Sequence, residues 1–157
     1  MVKKQKYRRW LFSAITHYAF PVDELDRFTA NQLLRTNALD VTGRVIFVNE
    51  KFISILEGTE ESLANYGRVI EGDERHTGIA TIQFKAIECR EFSDWSACYQ
   101  RPMGHKTRAG AINLLRDIPP TYLGFPQDSE TYIYFYAFWR AEVSAHDSRD
   151  RRIRKYY

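Results

Sequence analysis

The chain has 157 residues, 44% of them hydrophobic and 27% charged. That balance excludes wholesale disorder and suits one domain, or one domain with an appendage. A formal net charge of +3 hides a split: residues 1–9 carry five basic side chains, and residues 149–157 carry five more with one acid, Asp150, which leaves thirteen basic against nineteen acidic residues in a body at −6. An acidic body with basic ends argues against a nucleic-acid-binding face and for tails that dock on an acidic surface.

Along the chain, the basic start Met1-Val2-Lys3-Lys4-Gln5-Lys6 is followed by no apolar signal core, so secretion is not expected. No apolar run approaches the roughly 20 residues that cross a bilayer. Trp10 to Ile15 reads as a buried strand. After Pro21, Val22 to Leu34 has helical spacing, with Val22, Leu25, Phe28, Leu33 and Leu34 on one face and Asp23 and Glu24 in the first turn. Arg44 to Val48 and Lys51 to Leu56 are strand-like runs joined by Asn49-Glu50, which predicts a hairpin. Thr59 is the expected N-cap of a helix running to about Ile70 and ended by Gly72. Ile79 to Ile87 and Glu91 to Tyr99 give two further strands. The order is β-α-β-β-α-β-β, and two apolar helices on one face of an antiparallel sheet make an α+β, ferredoxin-like fold with an extra edge strand.

The last third differs. Met103 to Ile118 reads as a helix stopped by Pro119-Pro120. Thr131 to His146 is dense in aromatics and reads as a helix, apolar nearly all round, with one face for the open side of the sheet and the other for a partner chain.

Five segments carry a family resemblance: Ala19-Phe20-Pro21-Val22, Val41-Thr42-Gly43, Phe52-Ile53-Ser54-Ile55-Leu56-Glu57-Gly58, Gly72-Asp73-Glu74-Arg75-His76 and Arg90-Glu91-Phe92-Ser93-Asp94-Trp95-Ser96. In this order and spacing the chain resembles the BLUF family, the flavin-based blue-light sensors. The resemblance implies FAD with its ring sandwiched between the two helices. It further implies a tyrosine on strand one as electron and proton donor, and a glutamine on strand three that bridges it to the flavin. An asparagine near the end of helix one would hold the ring's polar edge, and a tryptophan and a methionine would sit on strand five. Aligned without gaps, this sequence has Phe12 at the tyrosine, Ser54 at the glutamine, Thr36 at the asparagine with Asn37 beside it, Trp95 at the tryptophan and Ala97 at the methionine. Phenylalanine has no hydroxyl, and serine is too short to bridge and has no amide. Without the donor and the switch, the family's photochemistry is expected to be absent and flavin binding weak or absent.

Other candidates have plainer readings. Glu57-Gly58 reads as a turn signature, Glu88 as an isolated acid, and Arg75-His76 as a solvated loop that lies near the flavin's outer edge in the resembled family. Ser54 and Ser96 lack a nearby histidine or a nucleophile elbow. Cys89 and Cys98 are too few for a disulfide scaffold. They read as free thiols on the last two strands, brought close only if those strands pair. With His17, His76, His105 and His146 they show no metal-ligand spacing, and no metal is expected. Tyr132, Phe135, Phe138, Trp139 and Arg140 are of the types that dominate interface hot spots and, with Arg151 and Arg152, are the candidate partner contacts.

The expected organisation is a basic arm over residues 1–6, a BLUF-like domain over 7–100, a helical and aromatic extension over 101–148 and a basic tail over 149–157. The expected function is a non-catalytic interaction or structural module without a cofactor, part of a larger assembly. It would bind a protein partner or a second copy through the aromatic segment and an acidic surface through the tails. Its compartment would be the cytoplasm, with a cytoskeletal or ciliary site if the source is eukaryotic. The alternative is a FAD-binding blue-light receptor with altered chemistry. A small enzyme ranks last, since no acid–base or nucleophile constellation supports it.

Overall fold

The computed structural model describes residues 5–16, 21–73, 75–99, 111–113, 123–126 and 128–142, with only the backbone of Val22 and of 111–113. The elements in order are β1 (Tyr7–Ile15), α1 (Val22–Leu39), β2 (Thr42–Val48), β3 (Lys51–Gly58), α2 (Glu60–Glu71), β4 (Thr77–Ile87), β5 (Trp95–Tyr99) and β6 (Ala111–Asn113), followed by a helix over 132–142, here α3. No helix among the described residues is long and apolar enough to cross a membrane.

Six strands form one sheet in the order β4-β1-β3-β2-β5-β6. The four strands of the ferredoxin-like unit pair antiparallel, as expected. β5 joins β2 in parallel, and β6 joins β5 in parallel and takes the outer place, so the sheet is mixed and the extra strand is not its edge. β6 also overturns the expected helix at residues 111–113. The rest of 103–118 lies outside the described residues.

Local chemistry sets the joints. Asn49 and Glu50 both take left-handed φ, 52° and 65°, which is the two-residue turn whose twist matches a hairpin. Thr59 caps α2 as expected, its Oγ1 accepting from the Ser62 amide at 3.1 Å. α1 runs to Leu39, a turn beyond the expected Leu34, and ends where Asp40 turns left-handed (φ 56°) and Val41 N–H returns to the Thr36 carbonyl at 2.9 Å. Leu34, expected on the inner face, is 70% exposed. Gly43 lies in register between Leu56 and Trp95 at φ 148°, and a Cβ there would stand 1.9 Å from the Ile55 carbonyl oxygen.

The sheet carries a core on each face. Under α1 and α2, Phe12, Ala14, Val45, Phe47, Phe52 and Leu56 pack with Leu25, Phe28, Leu63, Tyr66 and Ile70. On the other face, Leu11, Ile46, Val48, Ile53, Ile55 and Cys98 pack with Leu123, Phe92 and Phe135, with Phe125, Phe138 and Trp139 at the margin. α3 therefore covers its own sheet.

Both ends of α3 are clasped. Before its start, Glu130 Oε1 accepts from Arg9 Nη1 at 2.9 Å. At its end, Glu142 accepts from Asn49 Nδ2 at 3.1 Å and Lys51 Nζ at 2.8 Å. Since Lys51 is half exposed, water screens that pair, and Glu142→Ala is expected to lower stability by only about 1 kcal/mol in urea unfolding.

Candidate functional site

The sequence-derived positions meet under the helices. Thr81, Phe12, Ser54, Val45 and Ala97 form one cross-strand row over β4, β1, β3, β2 and β5. Phe12 and Ser54 are direct partners, each 1% exposed. This is a buried β1–β3 pair with neither a phenol nor a carboxamide. Trp95 is buried at the start of β5, and its Nε1 has no partner among the described residues.

Above this row, Thr36 is buried but its Oγ1 donates to the Leu33 carbonyl of its own helix at 3.1 Å. Asn37 is exposed, so it does not stand in for an inward asparagine. The inner face of α1 carries polar residues that hydrophobic spacing missed. Asp26 Oδ1 accepts from Tyr99 Oη at 2.5 Å. Gln32 Oε1 accepts from Tyr66 Oη at 2.7 Å, linking α1 to α2. Gln32 Nε2 and Thr29 Oγ1 are buried without a partner among the described residues. Burial in this layer pushes the Tyr66 phenol pKa up. The one signal in the sequence is their spacing: Asp26, Thr29, Gln32 and Thr36 recur at three and four residues on one side of the helix.

Arg75-His76 is not a solvated loop. His76 stacks on Phe52 with centroids 4.4 Å apart and lies 5.5 Å from Phe28, and Arg75 sits over Phe28 at 4.6 Å. Asp73 accepts from Arg75 Nε at 2.9 Å and Nη2 at 2.8 Å. Burial lowers the His76 pKa to about 4; Asp73 pulls it up and Arg75 adds to the lowering. Burial alone would raise the Asp73 carboxyl, but the hydrogen bonds and charge of Arg75 outweigh it and hold it low.

The opposite face holds an ion cluster with a buried centre, Arg9 and Glu57, and an exposed rim, Glu130 and Lys85. Arg9 reaches Glu57 at 3.6 Å, Glu91 at 3.1 Å and Glu130 at 2.9 Å, and Lys85 also pairs with Glu130. Glu57 is fully buried, and its Oε1 accepts from the amides of Glu91 and Phe92 at 2.8 and 2.9 Å. Glu57 is thus the anchor of the β4–β5 connection rather than a turn residue, and that connection occupies 91–94, where strand was expected. Burial pushes the Glu57 carboxyl up, against the pull of the two amides and Arg9. Glu88 is exposed and takes no part. Cys89 is exposed and Cys98 buried. Cys89 lies past the end of β4, and β4 and β5 lie apart with three strands between them, so the pairing that would have brought the thiols close does not form.

In α3, Phe135 is fully buried in the sheet's second core, while Tyr132, Phe138 and Trp139 are half-buried. Arg140 is exposed and donates to Tyr136 Oη at 3.2 Å. Phe135, expected at a partner surface, belongs to the interior instead. Arg151 and Arg152 lie outside the described residues.

Residues 7–98 match the family described as sensors of blue light using FAD. The chain belongs to the BLUF family. A photoactivated adenylate cyclase subunit beta of Euglena longa is 28% identical over 90 residues, covering 54% of this chain and 10% of that protein. The chain thus spans about a tenth of that relative. The dark-state structure of the BLUF protein BlrB has a TM-score of 0.61 at 18% identity, over 91% of this chain and 99% of that one. Klebsiella pneumoniae BlrP1 has a TM-score of 0.65 at 19% identity, over 85% and 34%. At these identities the structures share the fold.

BLUF membership implies FAD, and the side chains can be tested against it. A ring-sized cavity would leave its walls open to water, yet none of Phe12, Thr29, Gln32, Thr36, Ser54 and Ile70 is more than 1% exposed. As packed, these side chains present no open wall to a ring, and Phe12 and Ser54 bring neither the phenol nor the carboxamide that the family's flavin chemistry uses, so this row does not fit the group.

Proposed function

We propose that this chain is a BLUF domain that no longer senses light and serves as a non-catalytic interaction or structural module in a larger protein assembly. One observation carries the reading. The buried partners Phe12 and Ser54 offer neither the proton donor nor the rotating amide that BLUF chemistry requires. The exposed side of α3, with Ile133 at 66% and the neighbouring Tyr134 and Arg140, faces a protein partner. The basic ends of the sequence suit an acidic surface on the same assembly, and the compartment in this reading is the cytoplasm or its cytoskeleton.

A second reading, a FAD-binding receptor with altered photochemistry, is favoured by Gln32 Nε2, His76 Nδ1 and Trp95 Nε1, buried atoms without a partner among the described residues, since buried polar groups normally have partners. Incubation with excess FAD, desalting and blue illumination decide between the two. The expected result is a colourless protein with no light response. A retained flavin spectrum that moves reversibly to the red establishes the second reading.

A further inference from the structure

We propose that Tyr66 and Gln32 close from within the space between α1 and α2 where a flavin-binding relative would hold its ring, and that removing them reopens it to a flat aromatic ligand. The proposal rests on the reading above, that this layer holds no cofactor.

Tyr66 rises from α2, one turn before Ile70, and its phenol donates to Gln32 of α1 at 2.7 Å. Both side chains are buried. This hydrogen bond spans the space between the two helices at the level of Gln32 and Tyr66. Tyr66 belongs to the same core as Phe12, Phe28, Ile70, Trp95 and Ala97, so the bridge is built on the face of the sheet that carries Phe12. Beside it, the rings of Phe28, His76 and Phe52 lie within 4.4–6.3 Å of one another and fill the sheet side with the chain's own aromatic surface. A phenol and a carboxamide thus give this layer an apolar body with a polar tip that is already satisfied. Gln32 Nε2 and Thr29 Oγ1, without partners among the described residues, remain as donors in the same layer.

The test is a riboflavin titration followed by quenching of its fluorescence. The proteins compared are the native chain, Tyr66→Phe, which keeps the ring, and the double variant Tyr66→Ala/Gln32→Ala, which removes both ends of the bridge. The native chain and Tyr66→Phe are expected to show no saturable quenching, while the double variant binds at least tenfold more tightly. A folded double variant, judged by its far-ultraviolet circular dichroism, that binds no better than the native chain overturns the proposal and leaves the reading above standing. Native chain that binds as tightly as the double variant overturns both. Where the double variant does not fold, Tyr66→Ala alone is titrated with indole, because one vacated ring makes room for a small aromatic. Tenfold tighter binding than native supports the proposal, and equal binding defeats it.

Discussion

Phe135→Asp is expected to abolish the folded state. The ring is fully buried on the sheet face opposite α1 and α2, 5.0 Å from Phe125 and in the same core as Leu11, Ile46, Ile55 and Phe92. Truncating such a ring costs about 3–5 kcal/mol, and an unpaired carboxylate in its place adds desolvation. The sum is comparable with the whole stability of a typical domain, about 5–15 kcal/mol. Urea unfolding followed by near-ultraviolet circular dichroism checks it, with Ile133→Asp as the exposed counterpart on the same helix. That second change should move stability by no more than about 0.5 kcal/mol. A Phe135→Asp protein as stable as its parent would mean that α3 does not cover the sheet. The expectation from sequence, that Phe135 is a partner contact, is replaced by this one.

Acid is expected to destabilise the fold through His76. Burial lowers its folded pKa to about 4, from an ordinary 6.5. Above pH 6.5 the imidazole is neutral in both states and the fold keeps its full stability. As the pH falls from 6.5 towards 4, the unfolded chain takes up a proton that the folded chain refuses. A gap of about 2.5 units corresponds to about 3 kcal/mol lost by pH 4. Glu57 acts with the opposite sign, because its raised folded pKa makes its contribution complete below 4.5 and lost as the pH rises. The native slope is therefore a difference, and the informative comparison is native against His76→Phe in urea at pH 7 and pH 4.5. The variant should lose most of the acid sensitivity, and parallel curves would show that His76 is not held neutral by its surroundings.

The sheet was legible because its strands alternate between two cores and its turns carry their own chemistry. Asn49-Glu50, Thr59 and Gly72 each act locally, and each acts as the sequence predicted. α1 was read less well. Its inner face holds Asp26, Thr29, Gln32 and Thr36, and the partners of Asp26 and Gln32 are Tyr99 and Tyr66, 73 and 34 positions away. No helical periodicity of apolar residues reveals a stripe satisfied from that distance. Glu57 was misread for the same reason: its ligands are amides 34 and 35 positions away, and they turn 91–94 into a loop where propensity alone suggested strand. The family resemblance placed Phe12 opposite Ser54, which periodicity could not, because both are simply buried.

β1 and β3 are walled on both sides, so sequence neighbours report to different compartments of the protein. Leu11 belongs to the α3 side and Phe12 to the α1–α2 side. Arg9 and Glu57, which tie the strands to the start of α3, sit on the far wall from Ser54. The two cores share no residue. Side chains that serve a chromophore can drift on one wall while the opposite wall, with its ion cluster and aromatic cover, keeps the architecture intact.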